Sequence, residues 1–132
     1  MIYALDTCAI ISILNKKACI IKRFNDMIKS GVSLVIPSAV DYEIMRGFYY
    51  APKPNKHSAY TSMRNNCPIV EVNASIWDCA AALWAILRSK GLTIGDFDIL
   101  IAAFCIVNSY TLVTHNTKHF ADIDGLNIVD WA

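Results

Sequence analysis

The chain has 132 residues, of which 55% are hydrophobic and 17% are charged, and its formal net charge is +1. This length allows one domain with a substantial core but is too short for two ordinary domains, so we expect a single domain over residues 1–132. No apolar stretch approaches the ~20 residues that are needed to span a bilayer, which excludes a transmembrane protein and leaves no membrane partner to expect.

Five short β-like runs alternate with longer helical stretches along the chain. The predicted strands cover residues 2–5, 32–36, 69–72, 111–114 and 127–129. This alternation predicts an α/β fold, a parallel β-sheet of about five strands flanked by helices on both faces. One helix is predicted to have Ser38 as its N-cap, and Asn73 is predicted to cap a long helix over residues 74–90 that stops at Gly91.

The N-terminal segment and the cysteines bear on the compartment. The first six residues contain no basic segment before the acid at position 6, which is atypical of a secretory signal and predicts a cytoplasmic protein. The five cysteines are odd in number, include no C-x-x-C pair and mostly have apolar neighbours. This pattern favours reduced core thiols over disulfides or zinc ligands.

Four of the eleven acids stand where an apolar segment turns into a helix: Asp6, Glu43, Asp96 and Asp98. Because side chains at the carboxyl ends of parallel strands line one crevice, we expect these acids to converge there, together with Asn116 after the fourth strand. At about 4 Å and an effective dielectric near 20, two like charges repel by on the order of 4 kcal/mol. The cluster therefore needs protons or a cation, and we favour a divalent metal.

Basic and acidic residues are segregated along the sequence. Residues 14–64 carry nine Lys and Arg against three acids, whereas residues 65–132 carry three Lys and Arg against seven acids. A basic half beside an acidic pocket suits a polyanion whose reacting phosphate is neutralised by a metal. Charge alone favours the simpler explanation, that the Lys and Arg side chains lie on solvated helix faces.

Four blocks of sequence carry a family resemblance: Leu5-Asp6-Thr7, then Glu43 with Arg46-Gly47, then Ile94-Gly95-x-x-Asp98-x-x-Ile101-Ala102-Ala103, then Leu112-Val113-Thr114-x-Asn116-Thr117-x-x-Phe120. In these blocks the chain resembles the PIN-domain nucleases, and within them the VapC-type toxins of bacterial toxin–antitoxin pairs. The resemblance implies a Mg²⁺- or Mn²⁺-dependent endoribonuclease that inhibits translation by cutting RNA, with tRNA as the expected substrate. It also implies a VapB-type antitoxin as partner.

Carried over residue by residue, the resemblance makes Asp6, Glu43 and Asp98 the acidic metal site. We expect Asp6 and Asp98 to bind the ion most directly, while Glu43 binds through water or positions the attacking water. The role of Asp96 is open between a further metal ligand and a helix N-cap, because the helix dipole also favours an acid at that position.

The chain departs from the family pattern near its C-terminal end. Many PIN domains have an acid at the position of Asn116, and VapC-like sequences often have Glu at the position of His119. Neither residue is acidic here, which disfavours a second metal ion but is compatible with one-metal chemistry. Asn116 can still hold a metal-bound water or a phosphate oxygen, and Thr114 can orient a carboxylate.

Other reactive residues give weaker signals. His115 and His119 have the i,i+4 spacing of a helical metal site, but no third ligand of that type is evident and zinc is disfavoured. Ser12 and the cysteines have no evident base partner, which disfavours nucleophilic catalysis. Arg46 follows Glu43 by three residues and is expected to contact either that carboxylate or a scissile phosphate.

Apolar and aromatic residues exceed what one core requires. The run Phe48-Tyr49-Tyr50 is more than one helix face can bury, which predicts a contribution to a homodimer or to an antitoxin groove. Apolar residues at positions 76, 77, 80, 83, 84 and 87 form a stripe of helical period that we interpret as core packing.

One rival function belongs to a different class. A catalytically inactive PIN-like module would only bind RNA or the antitoxin. The complete set of carboxylates at positions 6, 43 and 98 argues against it.

Overall fold

The computed structural model describes all 132 residues and contains one five-stranded parallel sheet. Its strands are β1 Ile2–Leu5, β2 Ser33–Pro37, β3 Ile69–Val70, β4 Thr111–Val113 and β5 Asn127–Val129. Their order across the sheet is β3-β2-β1-β4-β5, and every neighbouring pair is parallel. The predicted α/β class and all five predicted strands are confirmed.

Seven helices connect these strands. They are α1 Thr7–Leu14, α2 Ala18–Lys29, α3 Ser38–Tyr50, α4 Pro54–Met63, α5 Ala74–Ser89, α6 Asp96–Asn108 and α7 Thr117–Phe120. None of them combines the length and the apolar character that crossing a bilayer requires.

One predicted helix cap is confirmed and one is wrong. Asn73 caps α5, because its side chain accepts a hydrogen bond from the backbone N–H of Ile76 at 3.0 Å. At α3 the N-cap position is Pro37, and Ser38 is already inside the helix. The Ser38 hydroxyl instead accepts a hydrogen bond from the backbone N–H of Val72 at 3.0 Å, so that it ties α3 to the segment after β3.

The order of the strands reverses beside β1. From β1 the chain adds β2 and β3 on one side, then returns through α5 and α6 to add β4 and β5 on the other side. The carboxyl ends of β1 and β4 therefore flank a topological switch point, which is where open parallel sheets form their ligand crevice.

A cluster of 29 buried hydrophobic residues fills the interior. Helix α6 is central to it, because residues 99–105 are all buried. A helix packed on every side holds its first turn in a fixed position, and that turn carries Asp98. Among the thiols, Cys67 and Cys105 are buried as predicted, but Cys19 is exposed.

Two predictions about apolar residues are corrected. The stripe on α5 is only partly core: Ile76 and Leu87 are buried, whereas Trp77 and Trp84 are 59% and 45% exposed. Periodicity marks an apolar face but does not show how much of that face the domain covers. On α3, Phe48 is buried in the core and is not available to a partner. Tyr49 and Tyr50 remain exposed, as expected for an interface.

Candidate active site

The switch point between β1 and β4 brings Asp6 beside Thr114. The sheet pairs Leu5 with Val113, and the backbone N–H of Asp6 donates to the Val113 carbonyl at 3.0 Å. The next side chains along both strands therefore meet at one edge of the sheet. Thr114 Oγ1 donates to Asp6 Oδ2 at 2.7 Å, which confirms that Thr114 orients a carboxylate.

Asp6 is the most enclosed carboxylate of the site. Its Oδ1 accepts the backbone N–H of Thr7 at 2.8 Å, which also caps α1, and the Cys8 thiol donates to Oδ2 at 3.5 Å. Burial raises the pKa of Asp6, and the hydrogen bonds that it accepts offset this only in part. The negative charge of Asp98 raises the pKa further.

Glu43 approaches Asp6 from α3. Thr7 Oγ1 donates to Glu43 Oε1 at 3.1 Å, so that one residue contacts both acids. Burial raises the pKa of Glu43, a hydrogen bond from Thr7 lowers it, and the negative charges of Asp6 and Asp98 raise it again. Arg46 Nη2 lies 3.9 Å from Glu43 Oε2, which confirms the predicted contact with that carboxylate.

Asp98 reaches the site from the first turn of α6. Its Oδ2 lies 2.8 Å from Nε2 of His119 on α7, and both side chains are partly exposed. The neighbour of Asp98 at this place is therefore a histidine and not a further acid. The contact fixes the direction of the Asp98 carboxylate without adding negative charge.

Asp96 and Asn116 are not drawn into this cluster. Asp96 is exposed at the first residue of α6 and lines a separate cleft against α5, while the N-cap is Gly95, so the N-cap interpretation of Asp96 is wrong. Asn116 is exposed just before α7. Its backbone N–H donates to Thr114 Oγ1 at 3.0 Å, and its side chain contacts none of the three converging acids through a hydrogen bond.

The donor set matches a hard divalent cation. Asp6, Glu43 and Asp98 offer carboxylate oxygens, the ligands that Mg²⁺ and Mn²⁺ prefer. No three Asp, Glu, His or Cys side chains are close enough in this arrangement to enclose an ion. The negative charge of Asp98 raises the pKa of Asp6 and of Glu43, and only Arg46 contributes an opposing charge, to Glu43. A cation would relieve this repulsion.

Sequence reasoning missed a hydrogen-bonded chain of three residues beside the site. Ser12 Oγ lies 3.0 Å from His115 Nε2, and His115 Nδ1 lies 2.8 Å from Asp130 Oδ1. The statement that Ser12 lacks a base partner is therefore wrong. Ser12 is nonetheless only 3% exposed inside α1, so its hydroxyl is closed to a substrate and the chain serves to tie α1 to the segments after β4 and β5. His115 and His119 contact different partners and form no shared metal site.

Cys8 was also missed as a site residue. Its Sγ contacts Asp6 Oδ2, Thr114 Oγ1 and the backbone N–H of His115 at 3.3 to 3.5 Å. Burial raises the pKa of this thiol, as does the charge of Asp6, which favours the protonated form that can donate. The available signal was its position, two residues beyond Asp6 in the first turn of the helix.

A cleft of about 260 Å³ opens from Glu43 toward α1 and α4. Its lining combines apolar side chains, including Ile11, Ile44 and Phe48, with the basic side chains of Lys53 and Lys56. Of the three acids, Glu43 alone borders this cleft.

Comparison with known proteins supplies a family match. A family model described as PIN domain matches residues 3–126. Ribonuclease VapC2 from Rickettsia felis is 29% identical over 132 residues, which is 99% of this chain and 98% of the relative. The tRNA(fMet)-specific endonuclease VapC from Shigella flexneri is 27% identical, and the match covers 98% of both chains. A chain in the crystal structure of VapBC2 from Rickettsia felis, bound to a DNA fragment from their promoter, matches with a TM-score of 0.92 at 29% identity over the whole of both chains.

Proposed function

The chain belongs to the PIN-domain family, and on that premise we propose that it is an endoribonuclease, the toxin of a VapC-type toxin–antitoxin pair that inhibits translation by cutting RNA. The observation that carries the proposal is that Thr7 hydrogen-bonds to both Asp6 and Glu43, and that the charge of Asp98 on α6 raises the pKa of both acids. The predicted family and toxin class are confirmed by the relatives, which are named VapC ribonucleases.

The proposed substrate is RNA, and tRNA in particular. The relative from Shigella flexneri, which matches nearly the whole chain, is named for cleavage of tRNA(fMet). The excess of Lys and Arg over residues 14–64 supports a polyanionic substrate.

A divalent cation, Mg²⁺ or Mn²⁺, is the proposed cofactor, with Asp6, Asp98 and Glu43 as its ligands. When bound, such an ion supplies positive charge that offsets the charge of the in-line transition state and lowers the pKa of water. Asp96 lies apart from these three acids, and we assign it no part in the site.

Three side chains have further roles in the proposed reaction. Asp6 is held by Thr7, Cys8 and Thr114 and gives the site a fixed point of negative charge. Glu43, which is less buried, orients the attacking water. We assign to Asn116, which is exposed after Thr114, the donation of its side-chain amide to a phosphate oxygen.

We also propose a VapB-type antitoxin and a second copy of the chain as partners. Structures of VapBC complexes match this chain over essentially its full length, including one from nontypeable Haemophilus influenzae with a TM-score of 0.87. The exposed rings of Trp77, Trp84, Tyr49 and Tyr50 are the surface available for such contacts.

The decisive test is cleavage of a tRNA pool by Asp6→Asn and Asp98→Asn across a titration of Mg²⁺ and Mn²⁺. Each variant should lose cleavage by about 10³-fold or more while it keeps the circular dichroism spectrum of the parent, because it removes a site charge but little volume. Asp122→Asn, at an exposed acid outside the site, is the matched control and should cut normally. Full cleavage by both site variants would overturn the assignment. Binding of RNA without cutting at any metal concentration would instead identify the inactive module.

A further inference from the structure

An exposed aromatic surface lies beside the carboxylates and has no part in the hydrolysis described above. Tyr42 of α3 and Phe97 of α6 stack face to face, with ring centroids 5.5 Å apart and planes 13° from parallel. The guanidinium carbon of Arg46 lies 5.3 Å from the Tyr42 centroid and 5.2 Å from the Phe97 centroid. We call these three residues the aromatic platform.

The aromatic platform adjoins two of the three acids. Tyr42 immediately precedes Glu43, and Phe97 immediately precedes Asp98. Arg46 Nη2 is 3.9 Å from Glu43 Oε2. A ligand bound on the platform would therefore lie next to Glu43 and Asp98, where the proposed reaction takes place.

Internal packing accounts for Phe97, which lies against the core, but not for Tyr42 or Arg46. Tyr42 is 54% exposed, and the Arg46 side chain is 53% exposed. A distance of 3.9 Å is longer than the 2.7–2.9 Å that is typical of a charge-assisted hydrogen bond, so the ion pair with Glu43 leaves the guanidinium N–H groups available. The two rings hold that group in place through cation–π contact.

We propose that the aromatic platform binds an unpaired nucleotide next to the scissile phosphate of single-stranded RNA. A base stacks on the exposed face of Tyr42, and Arg46 donates to a neighbouring phosphate. Every base offers a π-face, and proteins that select single-stranded RNA use aromatic rings and guanidinium planes in this way. A base held inside a duplex is already stacked on both sides and cannot occupy this surface.

This inference rests on the proposed ribonuclease function and narrows its substrate. The cut lies in a loop or a single-stranded end, with at least one unstacked base beside it. RNA is the proposed occupant because the platform adjoins Glu43 and Asp98, two of the acids that would act on the bound chain.

Binding of labelled RNA tests the platform without depending on cleavage. In an Asp6→Asn background, fluorescence anisotropy is measured with a fluorescein-labelled unstructured 12-nucleotide RNA and with the same strand in a duplex. Tyr42→Ala should weaken single-strand binding by about 5- to 100-fold and leave duplex binding unchanged, while Tyr42→Phe should restore it. Val107→Ala is the matched control, since Val107 lies on α6 with Phe97, is 39% exposed and is outside the platform.

An abasic scan sharpens the measurement. Each nucleotide of the single strand is replaced in turn by an abasic unit. At one position the replacement should weaken binding to the Asp6→Asn protein, and at that same position it should not change binding to the protein that also carries Tyr42→Ala. The unfolding curve of Tyr42→Ala shows whether this variant folds. If it does not fold, Phe97→Leu is used instead.

The outcomes distinguish a failure of the platform proposal from a failure of the proposed ribonuclease function. Equal loss of single-strand and duplex binding, or no loss, would overturn the platform. Unchanged RNA binding with weaker binding of the antitoxin would assign the surface to a protein, which also overturns it. If the wild-type chain cuts no RNA with Mg²⁺ or Mn²⁺, the proposed function fails, and that result comes from a separate assay.

Discussion

The carboxylates of the site occupy two contrasting environments. At the buried end, Asp6 is 3% exposed and accepts three hydrogen bonds. At the rim, the side chains of Glu43 and Asp98 are 21% and 35% exposed, and each has a single close partner. The buried end is positioned by the pairing of β1 with β4, which is backbone geometry, whereas the rim is positioned by side chains that extend between helices.

Within one site, therefore, one carboxylate is held rigidly and two can change their orientation. A carboxylate held by strand register keeps its place whether or not a ligand is bound. Carboxylates at a partly exposed rim can turn toward an incoming cation or substrate at little cost, because few contacts are broken. Mutations at the buried end should therefore affect stability and activity together, and mutations at the rim should affect mainly activity.

The largest effect is expected from Thr114→Val. The substitution keeps the volume but removes one of the three donors to Asp6, the one with the shortest contact, and the free energy of unfolding should fall by about 1–3 kcal/mol. Cleavage should fall with it. Urea unfolding and RNA cleavage measure the two effects, with Thr111→Val, on the same strand, as the control. If Thr114→Val and Thr111→Val were equally stable, the buried end would not depend on this hydrogen bond, and the contrast with the rim would be wrong.

A smaller effect is expected from His119→Ala at the rim. Asp98 loses the partner that sets its direction, and outer-shell losses of this kind reduce metal affinity or activity by about 10-fold. Because the pair is partly exposed, the free energy of unfolding should change by less than about 1 kcal/mol. His119→Gln, which retains a donor, should recover part of the activity, and Lys118→Ala should have no effect. A loss of stability as large as that of Thr114→Val would contradict the prediction.

The smallest effect is expected from Glu43→Gln in metal-free protein. Burial raises the pKa of Glu43, so the folded chain binds that proton more tightly than the unfolded chain does, and stability falls as the pH rises through this range. The amide removes that cost. The variant should thus have a Tm higher by a few degrees, on the order of 3 °C, at about pH 7.5 and no advantage at about pH 4. Thermal unfolding with a chelator measures this, and a lower Tm for the variant near pH 7.5 would show that Glu43 is stabilised by its surroundings.

The parts of the structure that follow from local sequence were predictable. An apolar run that ends in an acid and is followed by a helix placed Asp6 at a strand end, and the Asn73 cap needs only the residues beside it. The meeting of Asp6 with Thr114 follows from the general geometry of parallel sheets, whose strands end at one edge. The individual roles of Asp6, Glu43 and Asp98 stay predictions.

The parts that depend on distant contacts could not be read from sequence. Ser12 and His115 are separated by 103 residues, and no local pattern pairs them. The Ser38 hydroxyl binds a backbone group 34 residues away instead of capping its own helix. Trp77 and Trp84 illustrate a further limit, since helical period identifies an apolar face but not whether the domain covers it.

The pairing of Asp6 with Thr114 joins residues 108 positions apart. A nascent chain emerging from the ribosome exposes Asp6 more than a hundred residues before Thr114 and His119 are made. The site is incomplete during that interval, so a product that stalls there would carry the first carboxylate without the surroundings that hold it.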